Sequence, residues 1–187
     1  MTQVKSQITL EEFLALPEGE GDITYELVDG ELKPKMLPKR YHSRLTGTIY
    51  TILKLCVENR GEVGIEWAIT LKRRGRDWAP VPDLLYVSYS RFNSDLIEDK
   101  PCPIPPDLVI EIISPDQSFG EMSAKATDYL NAGVMRVWVV DAKAKTVTIF
   151  YPDAPPQTKI GADILEDSLL EGLRITAEQI FQQAGIP

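Results

Sequence analysis

Two acidic residues inside apolar strand patterns constrain this chain more than any other feature. Glu111 interrupts LVIEII, which begins at Leu108, and Asp83 lies near the start of VPDLLYVS. An ionised carboxylate that is buried without compensation costs several kcal/mol, so each acid should be paired, bound to a metal, or open to water at a strand end. For a single acid of this kind, pairing with an Arg or Lys side chain is as good an explanation as a bound metal. Two acids on neighbouring strands favour a shared cation, because Mg²⁺ takes few protein ligands, prefers carboxylate oxygens and retains waters.

Lys125 is the basic residue that a helical pattern brings towards Glu111. A helix is predicted from Glu121 to Ala132, with Met122 and Tyr129 on its buried stripe. Lys125 lies three residues from Met122 and four from Tyr129, so it falls at the edge of that stripe. It either leans over the strand that carries Glu111, or covers apolar surface with its stem while its ammonium reaches water. Helical geometry alone leaves both open.

The remaining patterns predict helices around a run of strands. Residues 7–16 form a short helix with Thr9 as its cap, and YELVDGELK is a hairpin that turns at Asp29-Gly30. A long helix is expected over Tyr41–Asn59. VGIEWAITLK and VPDLLYVS are predicted as two strands joined by the turn KRRGRD.

The second half of the chain contains a strand–helix–strand unit. LVIEII, the 121–132 helix and RVWVVD predict a crossover between parallel strands, and TVTIFY forms a hairpin with RVWVVD. ITAEQIFQQAG is expected to be a terminal helix. The predicted fold class is α/β or α+β, with a central mixed sheet flanked by helices. We expect a single domain over residues 1–187, with an N-terminal helical segment (1–24) and a C-terminal tail (160–187).

Composition limits the class of protein further. The 187-residue chain has no apolar run long enough to span a membrane and no signal-peptide pattern at its start. Cys56 and Cys102 are expected to be free thiols, which suits a reducing cytoplasm. The net charge of −8 argues mildly against nucleic acid. Two basic stretches, 33–44 and 72–76, are either solvated loops or grips for a phosphate backbone.

Five motifs in order carry a family resemblance: YELVDGEL, VPDLLYVS, PPDLVIEIISP, K-x3-Y-x3-GV and VWVVD. Asp83 in Pro-Asp, Glu111 on a following strand and then a lysine resemble the PD-(D/E)XK nuclease core. The whole set resembles the Uma family of putative restriction endonucleases, over about residues 25–151. In the general pattern the lysine stands two residues after the acid, where this chain has Ile113. The resemblance therefore assigns the lysine to Lys125 on the next helix.

The resemblance implies a restriction-endonuclease-like core of αβββαβ type and a Mg²⁺ site in which Mn²⁺ can substitute. Asp83, Glu111 and the carbonyl of Ile112 would hold the metal, and Lys125 would orient or help to deprotonate the attacking water. Glu26 matches an early acid of the family, although by itself it could be a cross-strand partner on an exposed hairpin face. His42 and Tyr129 are supporting candidates around the site; a lone histidine is more often a cap or surface residue.

The expected function is Mg²⁺-dependent hydrolysis of phosphodiester bonds in nucleic acid, with DNA as the substrate and a homodimer as the assembly. A catalytically silent binding or assembly module on the same scaffold is the alternative, because fold resemblance does not prove activity. One histidine and two distant cysteines do not make a usual zinc site. The chain has no phosphate loop, dinucleotide fingerprint or GxSxG motif.

Overall fold

A computed structural model describes residues 7–16, 24–92 and 99–187. The rest of the predicted N-terminal segment, residues 1–6 and 17–23, lies outside the described residues. The helices are α1 (Leu10–Leu14), α2 (Arg40–Cys56), α3 (Phe119–Asn131) and α4 (Ala177–Gln183). The strands are β1 (Tyr25–Val28), β2 (Glu31–Pro34), β3 (Gly61–Ile65), β4 (Leu71–Arg73), β5 (Arg76–Ala79), β6 (Leu84–Ser88), β7 (Leu108–Ile112), β8 (Arg136–Asp141), β9 (Thr146–Phe150), β10 (Gln157–Ile160), β11 (Ile164–Leu165) and β12 (Ile175–Thr176).

A six-stranded mixed sheet in the order β10-β9-β8-β7-β6-β3 forms the centre of the fold. Strands β7 and β8 are parallel and are connected through α3, while the other neighbours are antiparallel. One face of the sheet packs in a core with α2 and α4, and the other face packs with α3. The predicted strand–helix–strand unit and the predicted mixed sheet flanked by helices are thus confirmed.

A second, four-stranded sheet in the order β2-β1-β5-β4 corrects the predicted strand layout. VGIEWAITLK is not one strand. Its first part is β3 of the central sheet, the backbone turns at Glu66 (φ 48°), and the chain then enters β4 of the second sheet. Much of the predicted KRRGRD turn belongs to the β4–β5 hairpin, and β6 starts only at Leu84. An alternating pattern shows which side chains are buried, but not that the chain has moved to another sheet.

Local signals place α3 over the central sheet. Ser118 and Glu121 form a capping box at its start, and Gly133 (φ 98°) follows its end. Met122 and Tyr129 are buried against the sheet, as the helical stripe predicts. Helix α3 therefore presents a fixed face to β7 and β8. None of the helices in the described ranges combines the length and apolarity needed to cross a bilayer.

Candidate active site

Asp83 and Glu111 lie side by side at one end of the β6–β7 pair. The antiparallel register sets Leu84 opposite Ile110. The next opposed pair outward is therefore Asp83, just before β6, and Glu111 of β7. Directly opposed residues of an antiparallel pair project from the same face. The two side chains are almost fully buried, at 2% and 5% exposure. The sheet thus brings together the two acids that the sequence singles out.

Asp83 is ionised by its contacts. Its Oδ1 lies 2.9 Å from Lys35 Nζ, and its Oδ2 lies 3.0 Å from His42 Nε2. The backbone N–H of Ile112 donates to Oδ2 at 2.7 Å. Burial alone would raise the pKa of Asp83, but the His42 hydrogen bond and the positive charge of Lys35 outweigh it and lower the pKa from 3.8 to about 2. Asp83 is therefore a carboxylate at neutral pH.

The pKa of Glu111 shifts in the opposite direction from that of Asp83, because burial is the largest influence on it. The pKa of Glu111 is raised by burial and by the negative charges of Asp83 and Glu26, while Lys125 offsets part of the rise. Lys125 Nζ lies 3.0 Å from Glu111 Oε1, and the Tyr129 hydroxyl donates to the same oxygen at 2.8 Å. Tyr129 thus fixes the orientation of this carboxylate.

Lys125 bridges the two sheets through its ammonium. Besides Glu111, it contacts Glu26 Oε1 at 2.9 Å, and its side chain is only 20% exposed. Burial opposes its charge, but Glu111 and Glu26 outweigh burial and raise the pKa of Lys125. The ammonium lies between two acids rather than in open solvent, so of the two predicted arrangements Lys125 adopts the one that leans over Glu111.

Glu26 faces the site rather than forming a cross-strand pair on an exposed hairpin. It is paired in register with Lys33, yet its carboxylate turns to Lys125 and also accepts the backbone N–H of Val81 at 2.9 Å. Val81 precedes the Pro-Asp dipeptide that carries Asp83. Glu26 thus ties the second sheet to the segment that positions Asp83.

His42 is neither a cap nor a surface residue. It lies in the first turn of α2, is 8% exposed, and contacts Asp83. Because a carboxylate only accepts, Nε2 carries the donated hydrogen. Nδ1 is buried and has no hydrogen-bond partner among residues 7–16, 24–92 and 99–187. His42 therefore orients Asp83 from the side opposite to α3.

These side chains line a polar pocket of about 70 Å³. This is the space of a few water molecules, which suits a hydrated ion. The lining residues are Glu26, Pro34, Lys35, Met36, His42, Asp83, Glu111, Ile112, Ser114, Gln117 and Lys125.

Lys35 is the main site residue that the sequence did not reveal. It belongs to a basic stretch that the sequence assigns either to solvated loops or to phosphate binding, but its side chain is only 14% exposed and bridges Asp83 and Glu66. Burial opposes its charge, and Asp83, Glu66 and Glu111 outweigh burial and raise its pKa. No periodicity marks this position, since Lys35 follows β2 in an irregular segment.

The donor set suits a hard cation with few protein ligands. Asp83 and Glu111 offer carboxylate oxygens, and Ile112, whose carbonyl the family resemblance assigns to the metal, also lines the pocket. Mg²⁺ is commonly held by one or two carboxylates together with waters. Over residues 7–16, 24–92 and 99–187, no cluster of three or more His, Cys, Asp or Glu side chains is arranged to hold a metal. The pocket therefore offers a cation a few protein oxygens rather than a complete protein cage.

A second Pro-Asp dipeptide has a different role. Asp107, four residues before Glu111, is 4% exposed. It accepts the backbone N–H of Ser88 at 2.7 Å and pairs with Arg91 at 3.2 Å. It does not line the pocket. Asp107 thus secures the end of β6, and of the two Pro-Asp dipeptides only the one with Asp83 contributes its acid to the pocket.

A mixed sheet flanked by helices, with acids and lysines gathered at one strand end, defines a nuclease-like α+β protein. A solved structure with this fold is that of "a putative nuclease belonging to DUF820" from Anabaena variabilis. It is 26% identical to this chain, with a TM-score of 0.82, and the match covers 95% of this chain and 99% of that one.

The family model of Uma2, described as "Putative restriction endonuclease", matches residues 10–178. The chain belongs to the Uma2 family, which confirms the resemblance drawn from the motifs. Comparison with curated proteins gives no match. Family and fold together support a nuclease.

Proposed function

We propose that this protein is a Mg²⁺-dependent endonuclease that hydrolyses phosphodiester bonds of DNA at the pocket between Asp83 and Glu111. One observation supports the proposal above the others: two buried carboxylates from adjacent strands and the ammonium of Lys125 meet in a pocket of ion size. This is the set of groups that a PD-(D/E)XK-type site with a displaced lysine requires.

Asp83, Glu111 and the carbonyl of Ile112 would hold the cation. When bound, a divalent cation lowers the pKa of a coordinated water and offsets negative charge on the reacting phosphate. Asp83 is the stronger ligand of the two acids, because its lowered pKa keeps it ionised. Glu111 presents Oε1 to Tyr129 and Lys125, so Oε2 is the oxygen that we assign to the cation.

Lys125 acts as a positive charge rather than as a base. Its raised pKa keeps it protonated at neutral pH, so it does not accept a proton from water. Its ammonium orients the attacking water and stabilises the charge that builds on the phosphate in the transition state. Glu26 holds this ammonium in position, and Lys35 supplies a second positive charge beside Asp83.

Replacing Asp83 tests the proposal most directly. Asp83→Asn keeps an oxygen to accept the N–H of Ile112, so the fold should persist, while the charge needed for the cation is lost. We expect cleavage of supercoiled plasmid in Mg²⁺ to fall by at least a hundredfold, and Mn²⁺ affinity to fall with it. Asp153→Asn, at an exposed acid, is the matched control. Wild-type cleavage by Asp83→Asn would refute the assignment.

One observation favours the alternative of a silent binding or assembly module. Both acids already have cationic partners, since Lys35 neutralises Asp83 and Lys125 neutralises Glu111. Such pairing compensates both buried charges without a metal. Calorimetric titration separates the two functions: a nuclease binds Mg²⁺ or Mn²⁺ in a manner sensitive to Asp83→Asn, whereas a module gives no heat of binding at millimolar metal.

The assembly and location belong to the same proposal. A homodimer would present one pocket to each strand of a duplex, and sedimentation velocity measures whether the protein pairs. The chain is proposed to act as one domain in the bacterial cytoplasm, where the free thiols of Cys56 and Cys102 would stay reduced.

A further inference from the structure

We infer that the start of α2, residues 39–44, is the surface that binds the phosphate backbone of DNA and leads it to the pocket. We call this surface the α2 ridge. The inference rests on the proposed function, and it identifies which of the two basic stretches of the sequence contacts the substrate.

Three of the four basic residues in the stretch 72–76 already pair with carboxylates of the protein. Lys72 pairs with Asp77 at 2.5 Å, and Arg73 contacts Asp29 at 2.9 Å and Asp128 at 2.6 Å. Arg74 is 3.6 Å from the same Asp128. These pairs hold the β4–β5 hairpin against α3 and the β1–β2 turn. A phosphate would have to compete with carboxylates that are already in place.

The basic residues of the α2 ridge have fewer carboxylate contacts than those of the stretch 72–76. Arg40 and Arg44 are exposed, and neither forms an ion pair with any residue in the described ranges, although the Arg44 guanidinium lies against Gly185 at the end of α4. Lys39 has a single long contact, at 3.4 Å, with Asp116, and both side chains are more than half exposed (59% and 62%). Such surface pairs contribute little. The ridge therefore presents positive charge to solvent.

The α2 ridge borders the pocket. Lys35 and Met36, just before it, line the pocket, and so does His42 within it. Residues four apart share one face of a helix, so Arg40 and Arg44 leave α2 from the same face, with the Arg44 guanidinium beside Gly185, while His42 points the other way, towards Asp83. Four residues rise about 6 Å, and the phosphates of one DNA strand follow at roughly 3.4 Å along the axis. That rise is nearly twice the phosphate spacing, so the two arginine positions match phosphates two apart on one strand rather than successive ones.

The helix end adds to this charge. Helices α1, α3 and α4 each begin with a capping box, in which a side chain accepts a backbone N–H. Helix α2 has Lys39 at its N-cap, no side-chain cap and no acid in its first turn. Its free N–H groups and positive dipole end favour an anion. Exposed Leu37 (73%) and Tyr41 (40%) offer apolar contacts to sugars and bases beside it.

Binding to DNA without metal tests the ridge separately from cleavage. Fluorescence anisotropy of a labelled 20-base-pair duplex is measured in EDTA over 50–200 mM KCl. Arg40→Gln/Arg44→Gln removes two charges from the ridge. Arg76→Gln/Lys54→Gln removes two exposed charges elsewhere and is the matched control; Lys54 lies about 20 Å along α2 from Arg40.

The ridge variant should bind several-fold more weakly, with a salt slope (log affinity against log salt) less steep by about 2, since each phosphate contact contributes about 0.9. The control should match the wild type. Equal affinity and slope for wild type and ridge variant, or equal weakening by the control, would overturn the inference. Tighter binding of an RNA duplex of equal length would overturn the assignment to DNA. Loss of cleavage by Asp83→Asn has no bearing on this result, so the two proposals fail separately.

Discussion

Replacing Lys125 with methionine should destabilise the protein strongly, and in a pH-dependent way. Methionine keeps the apolar stem but removes the ammonium that lies 2.9 Å from Glu26 and 3.0 Å from Glu111. Removing one partner of a buried ion pair costs about 3–5 kcal/mol, because a charge is left uncompensated. We expect about 3 kcal/mol at pH 8, the lower end, since the Lys125 side chain is 20% exposed and Tyr129 still donates to Glu111.

The pH dependence follows from the pKa of Glu111. Burial already raises this pKa above its ordinary value of 4.5, and loss of Lys125 raises it further. The folded state then binds the proton more tightly than the unfolded state. The contribution of Glu111 to stability is therefore fully present below the pKa of Glu111 in the unfolded chain and is lost as pH rises through its folded pKa. The cost of Lys125→Met should shrink markedly between pH 8 and pH 5.

Urea unfolding measured by tryptophan fluorescence is a suitable assay, because Trp78 is buried with its ring 4.6 Å from that of Tyr129 on the same helix as Lys125. Lys54→Met, at an exposed helical lysine, is the control and should cost less than about 1 kcal/mol. Adding Glu111→Gln to Lys125→Met should recover part of the loss. A cost below about 1 kcal/mol, or one that is equal at pH 5 and pH 8, would contradict the description of the site as a buried charge network.

Three further substitutions test the hydrogen bond to Glu111 and the packing of α2 and β3. Tyr129→Phe removes the hydroxyl that donates to Glu111 at 2.8 Å but keeps the ring against Trp78; we expect a loss of about 2 kcal/mol in urea unfolding and weaker plasmid cleavage, and unchanged stability would show that the hydrogen bond is dispensable. Gly47→Ala, in the middle of α2 with no atom near the added Cβ, should stabilise by about 0.5–1 kcal/mol, whereas Gly61→Ala should destabilise because its Cβ would overlap the Tyr86 ring. Thermal unfolding that ranks these two glycine variants in the reverse order would contradict the packing of α2 and β3.

Local patterns in the sequence pointed to three residues of the candidate site, and the family resemblance added Glu26, His42 and Tyr129. Asp83 and Glu111 stand out because they interrupt apolar strands, and Lys125 because it lies at the edge of a helical stripe. Lys35 interrupts no apolar or periodic pattern in its own segment. Its importance comes from the proximity of its ammonium to Asp83, which depends on where the second sheet packs.

By itself, the sequence determined the elements whose signals are local. The hairpin at Asp29-Gly30, the capping box of α3 and the β7–α3–β8 crossover follow from turn residues, caps and periodicity over a few residues. Only the tertiary structure decided that the chain leaves the central sheet at Glu66 and that Glu26 and Lys125 share an ion pair. Those contacts join residues far apart in the chain, and their free energy depends on strand register and sheet packing, which a local pattern does not encode.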